Sequence, residues 1–319
     1  MFDSYCRNIV GWLVVGTLLA SCQSGSSSPP PAVELTRTVA HAMGTTKVPT
    51  VPQRVVTLDT APLDAALALG VKPVGMAIYK QPPEYLKDKI DGIKVIGDGN
   101  QPNLETTLAL KPDLLLGSTI GQDQTYDQLS QIAPTVLTEG SGRTHDWQKN
   151  LQLYAEALGK SETAEQLLQA YQQKVQQLQE KIDQPQTLEI SVLIVNETIR
   201  AYTTGSFSGS ILQDIGFSRP PAQADPDGYS LELSAEALDT LDGDYIFLIY
   251  STYRPGGSQK EDFVTDPLWS QLKAVQQDRV CQVSGDVWIA GRNILAANQI
   301  LADVEQCLES REASKRDDG

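Results

Sequence analysis

Histidine is scarce in this chain, which holds only His41 and His145 among its 319 residues. Transition-metal sites are built mainly from His, Cys and carboxylate side chains that converge on the ion. With two histidines and four cysteines available, we expect the protein to bind no metal directly. His41 is expected at the surface, and His145 is expected to cap a helix or to line a cleft.

Basic residues are also few, with 25 Lys and Arg against 40 Asp and Glu and a formal net charge of −15. A nucleic acid or an anionic lipid surface is bound through clustered basic side chains that neutralise phosphates. The composition therefore argues against both as partners. An anionic ligand would require the few arginines to be concentrated in one place.

The chain has no apolar run of the roughly 20 residues that span a bilayer. Ile9 to Ala20 is an apolar run of about a dozen residues, which is typical of a signal peptide. It closes on Leu19-Ala20-Ser21-Cys22, which resembles the bacterial lipoprotein signal in which the cysteine is acylated. We therefore predict a signal peptide over residues 1–21, a lipid on Cys22 and a flexible Ser/Pro-rich tether over residues 22–36.

These features predict an exported protein, anchored by lipid to the membrane and facing the periplasm or the cell exterior. An ordinary cleaved signal followed by a coincidental cysteine is the alternative.

Cys6 is lost with the signal, so Cys281 and Cys307 remain. Because thiols oxidise outside the cytoplasm, a disulfide is the favoured pairing, and two separately buried thiols are the alternative.

Short apolar strands alternate with helical stretches from Arg54 onwards, a pattern typical of mostly parallel sheets. It divides the chain into an N-terminal α/β lobe over residues 37–143 and a C-terminal α/β lobe over residues 184–310, followed by a polar tail over 311–319. Between the lobes, residues 144–183 form a helical linker whose long helix, residues 161–182, has apolar residues at a period of 3.6. The predicted fold is α/β, with two Rossmann-like lobes joined by one long helix.

Two glycine-rich segments lack the residues that catalysis or nucleotide binding would need. The segment from Gly97 ends in Pro102 where a dinucleotide-binding loop has glycine, so it is predicted to be a turn. In Gly205-Ser-Phe-Ser-Gly209, Phe207 occupies the position of a hydrolase nucleophile. We therefore predict that the protein is a binding protein and not an enzyme.

Four blocks, residues 52–59, 63–75, 103–117 and 266–280, carry a resemblance to a known family. Their order and spacing resemble the periplasmic-type solute-binding proteins of iron-siderophore and cobalamin ABC importers, over about residues 38–308. The resemblance implies the class III periplasmic-binding-protein fold, with small closure around a single rigid helix. It also implies a monomer without a cofactor, an Fe(III)-siderophore complex as the ligand and the membrane subunits of an ABC permease as partners.

Within that family, one surface carboxylate on each lobe docks onto arginines of the permease. The matched blocks place these carboxylates at Glu105 and Glu236. Exposed charges of this kind set orientation and association rate more than affinity. The alternative is that each glutamate is favoured only by the dipole at the start of a helix.

Ligand contacts are expected in loops that leave the predicted strands, where open α/β sheets bind their ligands. Guanidinium groups and aromatic faces suit an anionic, partly apolar complex. The candidates are Arg143, Arg200, Tyr202, Tyr253, Arg254, Trp288 and Arg292, with Tyr79, Arg219, Tyr229 and Phe207 as weaker ones. The alternatives are that Arg200 pairs with Glu197 on the surface, that Trp288 packs in the core and that Arg292 serves the start of the last helix.

The predicted function is capture of a ferric siderophore and its delivery to an ABC importer permease. Cobalamin or haem is the alternative ligand, and haem is disfavoured by the shortage of histidine. An envelope enzyme acting on a metal chelate and a purely structural lipoprotein are the alternatives from other classes.

Overall fold

The computed structural model describes residues 35–79, 81–195, 198–250 and 267–317. The predicted signal peptide, the predicted lipidation site Cys22 and the ligand candidates Tyr253 and Arg254 lie outside these residues. Among the helices described, none has the length and apolarity needed to cross a bilayer.

Two five-stranded sheets dominate the structure, and two-stranded ladders accompany the first. The strands are β1 Thr36–His41, β2 Gly44–Pro49, β3 Val55–Thr57, β4 Gly75–Met76, β5 Lys94–Val95, β6 Gly97–Asp98, β7 Gln101–Pro102, β8 Leu114–Ser118, β9 Thr135–Thr138, β10 Ile190–Val195, β11 Ile199–Tyr202, β12 Ser230–Leu233, β13 Tyr245–Tyr250 and β14 Val280–Ser284.

The N-terminal sheet has the order β5-β4-β3-β8-β9 and is parallel throughout. Its central strands are buried over their whole length, as strands covered on both faces should be. The C-terminal sheet has the order β12-β11-β10-β13-β14. In it β10, β13 and β14 are parallel, whereas β11 and β12 are added at the edge as antiparallel strands.

Helices cover the faces of these sheets and connect them. The α-helices are α1 Thr60–Ala68, α2 Leu104–Ala109, α3 Thr119–Gln122, α4 Tyr126–Ile132, α5 Trp147–Leu158, α6 Ser161–Lys181, α7 Phe207–Ile215, α8 Lys273–Gln276, α9 Gly285–Trp288 and α10 Ile294–Asp317. The 3-10 helices are Glu84–Lys89, Asp123–Thr125, Pro185–Thr187, Pro221–Gln223, Ala235–Leu241 and Trp269–Gln271.

The long helix α6 joins the two lobes, and it begins with Ser161 as its first helical residue instead of its cap. Its buried residues include Tyr171, Val175 and Leu178, which recur every three or four positions and therefore share one face. The Tyr171 hydroxyl donates to Asp214 in α7 at 2.7 Å, which fixes the helix against the second lobe. The prediction of two α/β lobes joined by one long helix is confirmed.

The last helix, α10, packs against α1 of the first lobe as well as against α6 and α7. Its backbone continues to Asp317, through the residues predicted to form a polar tail. A disulfide joins Cys281 in β14 to Cys307 in α10, with the two Cα atoms 6.0 Å apart. The edge of the second sheet is therefore covalently tied to a helix that contacts both lobes.

Candidate ligand-binding site

A cavity of about 240 Å³ lies between residues of the two lobes. It is lined by Tyr79, Arg143, Tyr229, Gly285, Ile289, Ala290 and Arg292. Three of these, Tyr79, Arg143 and Arg292, were predicted from the sequence as ligand contacts. Tyr79, Arg143 and Gly285 follow the carboxyl ends of β4, β9 and β14, where ligands of α/β sheets are bound.

Two larger cavities lie elsewhere. One of about 650 Å³ lies between β14 and α10, and one of about 410 Å³ lies beside the end of α6. Within the part of the chain that the structure describes, neither is lined by an arginine predicted to bind the ligand. We assign the ligand site to the smaller cavity because guanidinium and phenol groups converge there from different elements, as in a binding site.

Arg292 is a buried wall of the cavity, and its charge is already paired. Its side chain is 2% exposed, and Nη2 donates to Oδ1 of Asp59 at 2.7 Å. Nη1 donates to the carbonyl of Ser141 at 3.1 Å, and Nε donates to the carbonyl of Ala290 at 3.2 Å. Burial alone would lower the pKa of Arg292, but the Asp59 carboxylate outweighs it and raises that pKa. Arg292 therefore carries no free charge for a ligand.

The backbone at Arg292 is held as firmly as its side chain. Its φ is +57°, in the left-handed region that side chains rarely adopt. Gly142, with a φ of +76°, lies directly against the Arg292 carbonyl, so that any β-carbon at Gly142 would collide with it. The loop that carries Arg143 is thus packed against the loop that carries Arg292.

Arg143 is the accessible cation of the cavity. Its side chain is exposed, and it is found in no ion pair among the described residues. Its carbonyl accepts a hydrogen bond from the first backbone N–H of α7, at Phe207, at 2.8 Å. The guanidinium is therefore presented by a loop that the second lobe helps to fix.

Tyr79 supplies a phenol to the same cavity. Burial raises its pKa, and Asp59 raises it further, whereas Arg292 and Arg143 oppose the rise. Its ring lies against Gly99, where a β-carbon would come within 2.8 Å of the ring carbon Cζ. The turn from Gly97 to Pro102 thus supports the Tyr79 ring.

Tyr229, ranked among the weaker candidates from sequence, supplies the second phenol. Its ring meets Tyr202 edge-on, with centroids 5.4 Å apart. Tyr202 is 3% exposed and packs in the core beneath Tyr229. Arg200, on the same strand as Tyr202, forms an ion pair with Glu232 across the β11–β12 ladder. These residues support the cavity without appearing in its lining.

Three other candidates face the core. Trp288 follows β14, as predicted, but α9 turns it inward, where it is 1% exposed, stacks on Phe247 at 4.7 Å and donates from Nε1 to Asp303 at 2.8 Å. Phe207 is also 1% exposed and packs against Trp147. Arg219 is buried and donates to the carbonyl of Tyr202 and to Gln223. Its burial lowers its pKa to about 9.

Asp64, which the sequence does not reveal as important, joins the first lobe to the start of α10. Its carboxylate accepts from the backbone N–H groups of Leu295 and Ala296 at 2.9 and 3.0 Å, and from the Tyr85 hydroxyl at 2.9 Å. Complete burial raises the pKa of Asp64 to about 7, although the three hydrogen bonds lower it. Together with the Asp59–Arg292 pair, Asp64 anchors residues 292–296 to the first lobe.

The described residues contain no group of three or more His, Cys, Asp and Glu side chains arranged to hold a metal ion. His41 lies on β1, where its Nε2 bonds to Thr46 at 2.8 Å and burial lowers its pKa. His145 is exposed.

Comparison with known proteins gives consistent results. Residues 55–286 match the family described as periplasmic binding protein. The chain is 35% identical to the probable siderophore-binding lipoprotein YfiY of Bacillus subtilis, over 92% of this chain and 95% of the relative. It is 34% identical to the achromobactin-binding periplasmic protein of Dickeya dadantii, over 79% of this chain and 85% of the relative.

Among solved structures, SirA of Staphylococcus aureus complexed with staphyloferrin B is similar, with a TM-score of 0.77 and 32% sequence identity. The match covers 86% of this chain and 99% of SirA. The siderophore-binding protein BauB, bound to acinetobactin and ferric iron, has a TM-score of 0.71 and 26% identity, over 86% of this chain and 98% of BauB.

Proposed function

From membership of the periplasmic binding protein family, to which this chain belongs, we propose that it binds a ferric siderophore between its two lobes and delivers it to an ABC importer. The observation that carries the proposal is the interlobe cavity, in which the unpaired Arg143 faces the phenols of Tyr79 and Tyr229. Relatives named for siderophore binding support the same ligand class.

The groups around the cavity suit an anionic chelate with aromatic or apolar parts. Arg143 can form charge-assisted hydrogen bonds to carboxylate or catecholate oxygens. Tyr79 and Tyr229 offer hydroxyl groups and ring faces, and Ile289 and Ala290 supply apolar wall. Arg292 contributes indirectly, because its ion pair with Asp59 holds the wall of the cavity in place.

The same proposal includes a location outside the cytoplasm, supported by relatives named as lipoproteins or periplasmic proteins. Acylation of Cys22 would keep a monomeric binding domain close to its permease. A tether of this kind raises the effective concentration of the domain at the membrane.

The ligand proposal is tested by titrating the purified protein with a panel of ferric siderophores, cobalamin and haem, and following tryptophan fluorescence and thermal unfolding. We expect ferric complexes to raise the unfolding temperature, by an amount that grows with the logarithm of their concentration once that concentration exceeds Kd. Stabilisation by cobalamin or haem alone would contradict the proposal. Turnover of the chelate would instead indicate an enzyme.

Replacing Arg143 by alanine is expected to weaken binding of ferric dicitrate about tenfold or more. A charge-assisted hydrogen bond contributes about 1.5 to 3 kcal/mol, and each 1.4 kcal/mol is tenfold in Kd. Arg54→Ala is the matched control, because the Arg54 guanidinium donates to the carbonyls of Leu110 and Lys111 away from the cavity. Equal affinities for the two variants would remove Arg143 from the site.

The permease is proposed to dock on Glu105 and Glu236. Glu105 is exposed in the first turn of α2, and Glu236 lies in the 3-10 helix Ala235–Leu241, where its side chain is outside the described residues. Reversing both charges to lysine is expected to abolish uptake of radiolabelled iron by cells and to leave ligand affinity unchanged, because the two sites are separate. The control is the same reversal at Glu162 and Glu165, which are exposed on α6. Normal uptake by the first variant would contradict the docking assignment.

A further inference from the structure

Glu232 forms an ion pair that the proposed function does not use. Glu232 on β12 and Arg200 on β11 are directly opposite each other in the antiparallel register. Oε1 of Glu232 accepts from Nη2 of Arg200, and the two side chains are 54% and 42% exposed. Exposed pairs of this kind are weak, because water and other ions compete for both partners. The pair can therefore exchange one anionic partner for another.

The position of Arg200 connects this pair to the cavity. Residues two apart on a strand point to the same face, so the Arg200 side chain lies on the face that carries Tyr202. Tyr202 in turn contacts Tyr229, which lines the cavity. The Arg200 charge is close enough to interact with both phenols.

On the basis of the proposed function, we propose that Glu232 is a specificity-determining residue that competes with the ligand for Arg200. A ligand with its own carboxylate or catecholate oxygens can replace the Glu232 carboxylate and so recruit the guanidinium. A chelate of zero net charge offers only weaker acceptors to the guanidinium, and Arg200 then stays with Glu232 on the strand ladder. The pair would therefore favour anionic ferric complexes over neutral ones.

The test uses Glu232→Gln, which keeps the shape of the side chain and removes its charge. Affinities are measured by tryptophan quenching for ferric dicitrate, which is anionic, and for a ferric trihydroxamate of zero net charge. We expect the variant to bind ferric dicitrate about two- to fivefold more tightly, as expected for the strength of an exposed ion pair. Binding of the trihydroxamate should not change.

Arg200→Ala and the double variant complete a mutant cycle that isolates the pair. The increase in affinity for ferric dicitrate that Glu232→Gln causes should disappear when Arg200 is alanine, because Glu232 then has no guanidinium to pair with. Glu305→Gln is the matched control, because it removes one negative charge and an exposed pair with Lys181, between α6 and α10. An equal gain in that control would indicate a general effect of net charge and overturn the inference.

An unchanged affinity of Glu232→Gln for ferric dicitrate, or a gain that persists without Arg200, would also overturn it. These outcomes differ from a failure of the proposed function, in which the unaltered protein binds neither ferric complex and the inference falls with it. Thermal unfolding of each variant shows whether the strand ladder remains intact. Both substituted residues are partly exposed, so the fold is expected to tolerate the changes.

Discussion

Replacing Arg292 by methionine is expected to lower the free energy of unfolding by about 3 to 5 kcal/mol, the loss typical of breaking a buried ion pair by removing one partner. The substitution leaves the Asp59 carboxylate buried without its cation, and that residue is 1% exposed. Oδ2 of Asp59 already has no hydrogen-bond partner within the described residues. Urea denaturation followed by circular dichroism measures the loss.

A second variant separates two contributions to the lost stability: the buried Asp59 charge left without a partner, and the lost packing of the Arg292 side chain. Asp59→Asn combined with Arg292→Met removes both charges and leaves an amide oxygen that can still cap α1 at the Thr60 N–H. This pair of changes should recover most of the lost stability, because a buried pair replaced by neutral groups is often close to neutral overall. Lys87→Met, at a fully exposed pair with Glu84, should leave stability nearly unchanged.

Equal losses for the single and double variants would mean that the packing of Arg292 matters and its charge does not. A loss of about 1 kcal/mol or less for the single variant would mean that water reaches Asp59 and screens it. The expected result instead makes Arg292 a positioning residue. Its guanidinium holds the wall of the cavity, and Arg143 remains available to the ligand.

The fold follows from local patterns. The buried run of β8, the period of α6 and the glycines after helices are all local features, so the sequence predicts two α/β lobes and a connecting helix. The rule that ligand groups follow the carboxyl ends of strands predicts Arg143 as a ligand contact, and Arg143 lines the cavity together with the weaker candidate Tyr79.

The same rule does not locate the Trp288 side chain, because position along the chain does not show whether a side chain points into the cavity or into the core. Trp288 follows β14 as Arg143 follows β9, but the short helix α9 turns its indole into the core against Phe247. The indole N–H is satisfied there by Asp303. Local sequence carries no signal for that turn.

The charges that shape the cavity are equally hidden from local patterns. Asp59 and Arg292 are 233 residues apart, and Asp64 is 231 residues from its backbone partner Leu295. The sequence predicts Arg292 as a ligand contact or as a residue at the start of the last helix, and it gives no sign that Arg292 pairs with Asp59. The folded structure shows that these two charges are paired and that Arg143 lines the cavity without an ion pair among the described residues.

Removing the disulfide is the second change with a large expected effect. Replacing both Cys281 and Cys307 by alanine should lower the free energy of unfolding by roughly 3 to 4 kcal/mol, because the sequence separation of 26 sets the entropy that the cross-link removes from the unfolded chain. The comparison is the unaltered protein unfolded in urea with and without dithiothreitol. Reductant should cause a similar loss in that protein and none in the double variant.

The position of the disulfide decides what else should change with it. Cys281 pairs with Phe247 in the register of β13 and β14, and Cys307 lies one helical turn beyond Asp303, the partner of Trp288. The cross-link therefore holds the sheet edge against α10, whose other end is fixed to the first lobe by Asp64. Because this anchoring by Asp64 and Arg292 does not involve the cysteines, ligand affinity of the double variant should stay close to normal at temperatures well below unfolding. A large loss of affinity would show that the disulfide, and not the Asp59–Arg292 pair, sets the position of the cavity wall.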